Sequence, residues 1–249
     1  MKTNLVAVLL CLLCVSNSFS QELKEVIYKD NTQILKGLVI TSTKGNLQPG
    51  VLILPAWKGI DQEAKDAAVE LHKIGYNVFI ADIYGEGNIP QDNAAAGKLA
   101  GMYKSDYNAY QHRIKLALQA FIEKGVDPAK IAVIGYCFGG TGALEVARAN
   151  FDVVGAVSIH GGLSKGSDRI NGPINTKVLV QHPAEDKSVS KADYDNLEKE
   201  LKEGKADYQI ITYANSGHTF TNPASNDYNP TMAKRAWNHL ILFLEEVLK

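Results

Sequence analysis

Short apolar runs alternate with segments of helical period along most of this chain. Gly50–Pro55 (GVLILP) has no polar position and reads as a buried strand. Lys24–Lys29 and Gln33–Thr41 alternate apolar and polar residues instead, as strands with one solvated face do. They are predicted to form an antiparallel pair at a sheet edge. Asp61–Ile74 has apolar positions at helical spacing, with Asp61 as N-cap and Gly75 as its stop. Asn77–Asp82 (NVFIAD) is the next strand, and a long helix is predicted from about Ser105 to Lys124, ended by Gly125. The second half keeps the rhythm. Lys130–Gly135, Val153–Ile159, Thr176–Gln181 and Tyr208–Tyr213 read as strands. Thr141–Ala149, Lys191–Lys202 and Pro230–Leu248 read as helical, the last with proline near its start. Alternation of this kind predicts an α/β fold, a mostly parallel central sheet with helices on both faces. It leaves no internal boundary, so residues 21–249 are expected to form a single domain.

The first twenty residues break the pattern. Lys2 precedes an apolar run, Leu5–Val15, too short for a lasting membrane span. Ser18 and Ser20 are small residues where a signal peptidase needs them, so cleavage is expected before Gln21 and the mature chain is expected to be exported, periplasmic or secreted. Cys11 and Cys14 raise a lipoprotein alternative, weakened by the leucine before each. No later stretch is long and apolar enough for a membrane helix.

Composition narrows the function. Of 249 residues, 45% are hydrophobic and 21% charged, and the formal net charge is -1. That balance suits a globular chain and lacks the concentrated basic surface of a nucleic-acid or acidic-membrane binder. A small-molecule substrate is the expected partner; oligomeric state is not legible. The histidines lack helix-spaced partners such as H-E-x-x-H, and neither a metal nor another cofactor is expected. Of three cysteines, two fall in the leader, which leaves Cys137 alone in the mature chain. A lone thiol in an oxidising compartment is buried or used.

Its neighbours favour use. Gly135-Tyr136-Cys137-Phe138-Gly139-Gly140 fits Gly-x-nucleophile-x-Gly, where a predicted strand meets a predicted helix. Glycines two residues either side let strand and helix approach. The helix N-terminus favours a thiolate, and the N–H of Phe138 is set to donate to an oxyanion. The spacing is not the G-x-G-x-x-G of a dinucleotide turn. A base and an orienting acid should follow, each on a loop after a strand. His218, in Ser-Gly-His-Thr-Phe after the last strand, is the best base. His160 and His182 end strands on the same sheet edge, where each lines the pocket or is structural; His239 lies within the final helix. Asp186 is the candidate acid and Glu185 its rival.

With these residues in hand, the sequence resembles the dienelactone hydrolase family, from about Gln33 to the last helix. The likeness rests on Gly-Tyr-Cys-Phe-Gly-Gly at 135–140, Ala-Glu-Asp at 184–186, Gly-His-x-Phe at 217–220 and Ala-Asp-Ile-Tyr-Gly at 81–85. It implies an α/β-hydrolase fold with Cys137 as nucleophile, Asp186 as acid and His218 as base. It also implies a second oxyanion donor, the backbone N–H of Trp57. Three positions depart from the family pattern. A glutamate near the thiol is Ala56 here, and two arginines that bind a substrate carboxylate are Glu86 and Asn222. The expected function is therefore hydrolysis of an ester, thioester or lactone, with a resting thiolate–imidazolium pair and a substrate other than dienelactone. A non-catalytic binding relative is the alternative, motivated by the lost glutamate and arginines. A cysteine peptidase is a third reading, for which no peptide groove is visible. Lys165 and Arg169 are read as an anion site or a solvated loop.

Overall fold

The computed structural model describes residues 22–42, 47–166 and 168–249. The leader expected at 1–20 lies outside the described residues. Eight strands form one sheet: β1 (Lys24–Asp30), β2 (Gln33–Ile40), β3 (Gln48–Leu54), β4 (Asn77–Ile80), β5 (Val126–Tyr136), β6 (Gly155–Ile159), β7 (Lys177–Pro183) and β8 (Tyr208–Tyr213). Their order is β1-β2-β4-β3-β5-β6-β7-β8. β1 and β2 pair antiparallel at the edge, β2 runs antiparallel to β4, and every later pair is parallel.

The helices are α1 (Gln62–Lys73), α2 (Asn93–Ser105), α3 (Tyr107–Ile122), α4 (Phe138–Arg148), α5 (Lys191–Glu203) and α6 (Pro230–Leu248). The period of two along β3 decides which helix meets which residue. Val51 and Ile53 pack with Ala64 and Leu71 of α1 and with Leu240 and Leu244 of α6. Leu52 and Leu54 point the other way, against Tyr110, Ile114 and Phe121 of α3. Leu144 of α4 and Leu197 and Leu201 of α5 cover Val178 and Val180 of β7 on that second face. A strand buried on both faces has no polar position to give, which is why Gly50–Pro55 reads as an unbroken apolar run.

One expectation needs correction. Helix α2 was not anticipated; its sequence, NAAAGKLAGMYKS, carries two glycines and weak amphipathic contrast. Asp92 caps it by accepting from the Ala95 N–H at 2.7 Å, and it buries Ala96, Ala100 and Tyr103 along one stripe. Alanines fill that stripe, so the helical period is real but faint. Ser105 consequently ends α2 instead of starting the next helix. Asp106 closes α2 and caps α3 through the Ala109 N–H at 3.0 Å. Helix α4 contains the segment from Thr141 as expected, and it starts at Phe138, directly after Cys137.

Candidate active site

The site is built at the C-terminal ends of the parallel strands. β5 ends at Tyr136 and α4 begins at Phe138, so Cys137 alone makes the turn, with φ 53° and ψ -110°. A non-glycine residue held so costs on the order of 1–3 kcal/mol and persists only where its surroundings fix it. They do so here. The Cys137 N–H donates to the Ile159 carbonyl at 3.0 Å, and its carbonyl accepts from the Thr141 N–H at 3.2 Å. The buried Tyr110 hydroxyl donates to the Phe138 carbonyl at 2.9 Å, and its ring stacks on Phe138 with centroids 4.4 Å apart. Gly135 and Gly139 have no room for a Cβ: ideal ones would lie 1.9 Å from Gly139 O and 2.0 Å from Leu54 O.

Cys137, His218 and Asp186 come together. His218 Nε2 stands 3.1 Å from Cys137 Sγ, and His218 Nδ1–H donates to Asp186 Oδ2 at 2.7 Å. His218 lies on the loop after β8 and Asp186 on the loop after β7. Asp186 Oδ1 accepts from both the N–H and the hydroxyl of Ser188, at 2.8 and 2.6 Å. The Asp186 side chain is fully buried, which raises its pKa. The hydrogen bonds from His218 and Ser188 outweigh burial and hold it down at about 2. Burial lowers the pKa of His218; bonds to Asp186 and Cys137 outweigh it and raise the imidazole to about 10. Glu185, the rival acid, is exposed and meets the Ser216 carbonyl only through its backbone N–H.

These shifts set a pH window. The raised pKa of His218 contributes stability that is fully present below its unfolded value of about 6.5 and is lost as the pH rises through about 10. The lowered pKa of Asp186 contributes stability present above about 3.8 and lost as the pH falls through about 2. The expected result in thermal unfolding is a gap between wild type and Asp186→Asn that is level from about pH 4 to 6.5 and narrows toward pH 10. A gap that widens with rising pH would contradict this assignment of protons.

The other expected residues separate. Phe138 is the first residue of α4, where a helix leaves its N–H without an intrahelical acceptor. Trp57 lies in the turn after β3; its carbonyl accepts from the Tyr84 hydroxyl at 2.9 Å, which anchors that turn over the site. His160 is buried beside the site, with its ring centroid 5.4 Å from that of His218. His182 faces Tyr194 instead, and His239 pairs with the Tyr213 hydroxyl at 2.9 Å. Lys165 and Arg169 do not trail in solvent; they face the chain's own acids: Arg169 clamps Glu145 at 2.7 and 2.8 Å, and Lys165 hydrogen bonds Asn171 and lies 3.8 Å from Glu200. Glu86 pairs with Lys36 at the β2 edge. Among the described residues no group of His, Cys, Asp or Glu could hold a metal, and no helix is long and apolar enough to cross a membrane.

Cys137 and His218 open into a cavity of about 650 Å³ whose wall includes Trp57, Lys58, Glu63, Lys104 and Asn222. Sequence reasoning missed Ser188, Glu63 and Lys104. Ser188 carries no signal beyond its nearness to Asp186, and Lys104 belongs to the unrecognised α2. Glu63 reads as an ordinary acid in the first turn of a helix. In the fold it is largely buried, which pushes its carboxyl up to about 7 against the hydrogen bonds of Thr221 and Asn222.

A parallel sheet with an antiparallel edge, a strained turn from strand into helix, and loops that bring an acid and a histidine to that turn define an α/β hydrolase. The model of the dienelactone hydrolase family matches residues 35–248, and the chain belongs to that family. It is 25% identical over 207 residues to a Bradyrhizobium protein named "Probable 2-oxo-3-(5-oxofuran-2-ylidene)propanoate lactonase", covering 79% of this chain and 83% of that one. It is 24% identical to the protein usf of Aquifex pyrophilus, over 90% and 98% of the two chains. A crystal structure described as a dienelactone hydrolase-like promiscuous phosphotriesterase from metagenomic libraries superposes with a TM-score of 0.86 and 29% identity, covering 92% of this chain and 99% of that one.

Proposed function

We propose that this protein is an exported hydrolase that cleaves a small ester, thioester or lactone through a cysteine acyl-enzyme. The observation that carries the reading is one continuous set of contacts at the strained turn: Sγ to Nε2 at 3.1 Å and Nδ1 to Asp186 at 2.7 Å. In the first half-reaction Cys137 Sγ attacks the carbonyl carbon. A carbon–sulfur bond forms, and the N–H groups of Phe138 and Trp57 hold the oxyanion. His218 Nε2–H then gives its proton to the departing oxygen or sulfur as that bond breaks. In the second half-reaction His218 takes a proton from water, the hydroxide adds to the acyl carbon, and the thiolate leaves. Asp186 holds the imidazole so that Nε2 faces the sulfur.

Membership of a hydrolase family and the lactonase name of one relative support this reading. The alternative of a non-catalytic binding relative gains no support from the comparisons. With Glu86 and Asn222 where the family has arginines, the substrate of this reading is not held as a dienelactone carboxylate. In the same reading the leader at 1–20 carries the chain out of the cytoplasm, and residues 21–249 work in the periplasm or beyond.

The test uses the mature protein and a panel of short acyl aryl esters, thioesters and five-membered lactones. The expected result is steady turnover on at least one class, and a mass increase equal to the acyl group on the peptide that contains Cys137 after rapid acid quench. Turnover with the label on any other residue would overturn the nucleophile, and absence of turnover across the panel would overturn the hydrolase reading.

A further inference from the structure

Behind the turn runs a second polar arm that the reaction above does not use. His160 is 1% exposed and, like Cys137, has a left-handed backbone, with φ 41°. Its Nδ1 lies 3.1 Å from the Cys137 nitrogen, so the Cys137 N–H is shared between His160 Nδ1 and the Ile159 carbonyl. Its Nε2 lies 2.8 Å from Thr221 Oγ1, and the Thr221 hydroxyl donates to Glu63 Oε1 at 2.6 Å. The proton positions follow by elimination. A backbone N–H can only donate, so His160 Nδ1 must present its lone pair. A neutral imidazole then carries its hydrogen on Nε2 and donates to Thr221 Oγ1. The threonine's own hydrogen is left for Glu63. Every member has one role, and the chain runs in one direction from Cys137 N–H to His160, Thr221 and Glu63.

An imidazolium would break this chain, because it would turn an N–H toward the Cys137 N–H. Burial, with the charge of His218 nearby, pushes His160 down to about 3, so it stays neutral wherever the enzyme works. Three elements far apart in sequence supply the arm: the end of β6, the loop before α6 and the first turn of α1. An apolar core would fill that space without the desolvation of three polar side chains. A fully satisfied buried polar network instead selects one geometry. The geometry selected here is that of the turn at Cys137, which the arm ties to His160, the left-handed residue after β6. Ala56 leaves that position without a carboxylate; Asp61 and Glu63 are the carboxylates lining this cavity, and Glu63 is the one that the arm reaches.

We propose that Glu63, Thr221 and His160 form a positioning relay that holds the backbone of Cys137, and with it the sulfur and the Phe138 N–H, in register with His218. The relay rests on the acyl-enzyme reading above for its effect on rate, but its hydrogen-bond pattern does not. Thr221→Val is the sharpest probe. It keeps the shape and removes both hydrogen bonds.

The experiment measures kcat and KM on the best ester for wild type, Thr221→Val and Thr221→Ser, with thermal unfolding of each. The expected result is a kcat lower by about tenfold or more in the valine variant, with KM within about twofold, since a small misplacement of reacting atoms acts on rate before binding. Serine, which restores the hydroxyl, is expected to recover most of the rate. A folded valine variant with wild-type kcat, or a serine variant as slow as the valine one, overturns the relay. A second measurement needs neither turnover nor a variant that folds. Imidazole nitrogen NMR of the wild-type protein is expected to show His160 neutral with hydrogen on Nε2. Hydrogen on Nδ1 overturns the relay. An enzyme inactive on every ester but with His160 in the expected tautomer would overturn the hydrolase reading and leave the relay supported.

Discussion

Cys137→Ala is expected to remove at least about a thousandfold of kcat on any substrate that the wild-type protein turns over, roughly 4 kcal/mol of transition-state stabilisation. The size follows from what remains. Without Sγ, none of the other hydrogen-bond partners of His218 among the described residues is placed to form the carbon bond, because Asp186 lies on the far side of the ring and Ser188 meets only Nδ1. The N–H groups proposed to hold the oxyanion and the cavity survive, so KM should change little and the residual rate should be that of water attack in a polarising site. Cys137→Ser tests the same point more finely. It supplies a hydroxyl in a site arranged around a sulfur 3.1 Å from the imidazole, and a low rate with slow release of a stable acyl-serine is the expected outcome. Steady-state kinetics on both variants checks this. An alanine variant that keeps more than about a tenth of the activity would sink the proposal that Cys137 is the nucleophile.

The second large effect is on stability, at Gly139. An added Cβ would lie 2.0 Å from the Leu54 carbonyl oxygen, 2.5 Å from its carbon and 2.8 Å from the Pro55 carbonyl oxygen. All three are backbone atoms, so no side chain can swing away. Relief requires α4 to back off from the end of β3, which would pull Phe138 away from Tyr110 and open the turn. Overpacking a core typically costs about 1–3 kcal/mol, and a clash against fixed backbone belongs at or above the top of that range. Gly139→Ala is therefore expected to lose about 3 kcal/mol or more in urea unfolding, or to fail to accumulate as folded protein. Gly75→Ala is a suitable comparison. Nothing lies within 4 Å of its added Cβ, so its left-handed φ of 105° is the whole cost. Equal losses at the two sites would show that the close approach of α4 to β3 is not what position 139 demands.

Much of the fold was legible because its signals are local. The unbroken apolar run at Gly50–Pro55 announces a strand covered on both faces, and β3 is covered so by α1 and α6 on one side and α3 on the other. The alternation in Lys24–Lys29 and Gln33–Thr41 announces a strand pair with a wet face, and β1 and β2 form the antiparallel edge. Asp61 and Pro230 mark helix starts by chemistry that involves only the next few residues. Helix α2 escaped notice because its buried stripe is made of alanine and one tyrosine. Small residues fill a tight gap under the loop after β4 without the hydrophobic contrast that periodicity depends on.

The site divides in the same way. A glycine-flanked cysteine between strand and helix, with histidine and aspartate on later loops in that order, is a linear pattern that the chain displays by itself. The sequence alone therefore determined the α/β class, Cys137 as the single cysteine beyond residue 20, and the candidate set of Cys137, Asp186 and His218. Only the tertiary structure decided between Asp186 and Glu185, because the choice depends on which carboxylate the β7 loop turns inward, where it accepts from His218, and which it leaves in water. Only the tertiary structure could bring Glu63 to Thr221, 158 residues away, and through it to His160 and the turn. A hydrogen bond between elements so distant has no local signature. It exists because the sheet order carries the loops after β3, β6 and β8 to one edge, and sheet order is a property of the whole chain.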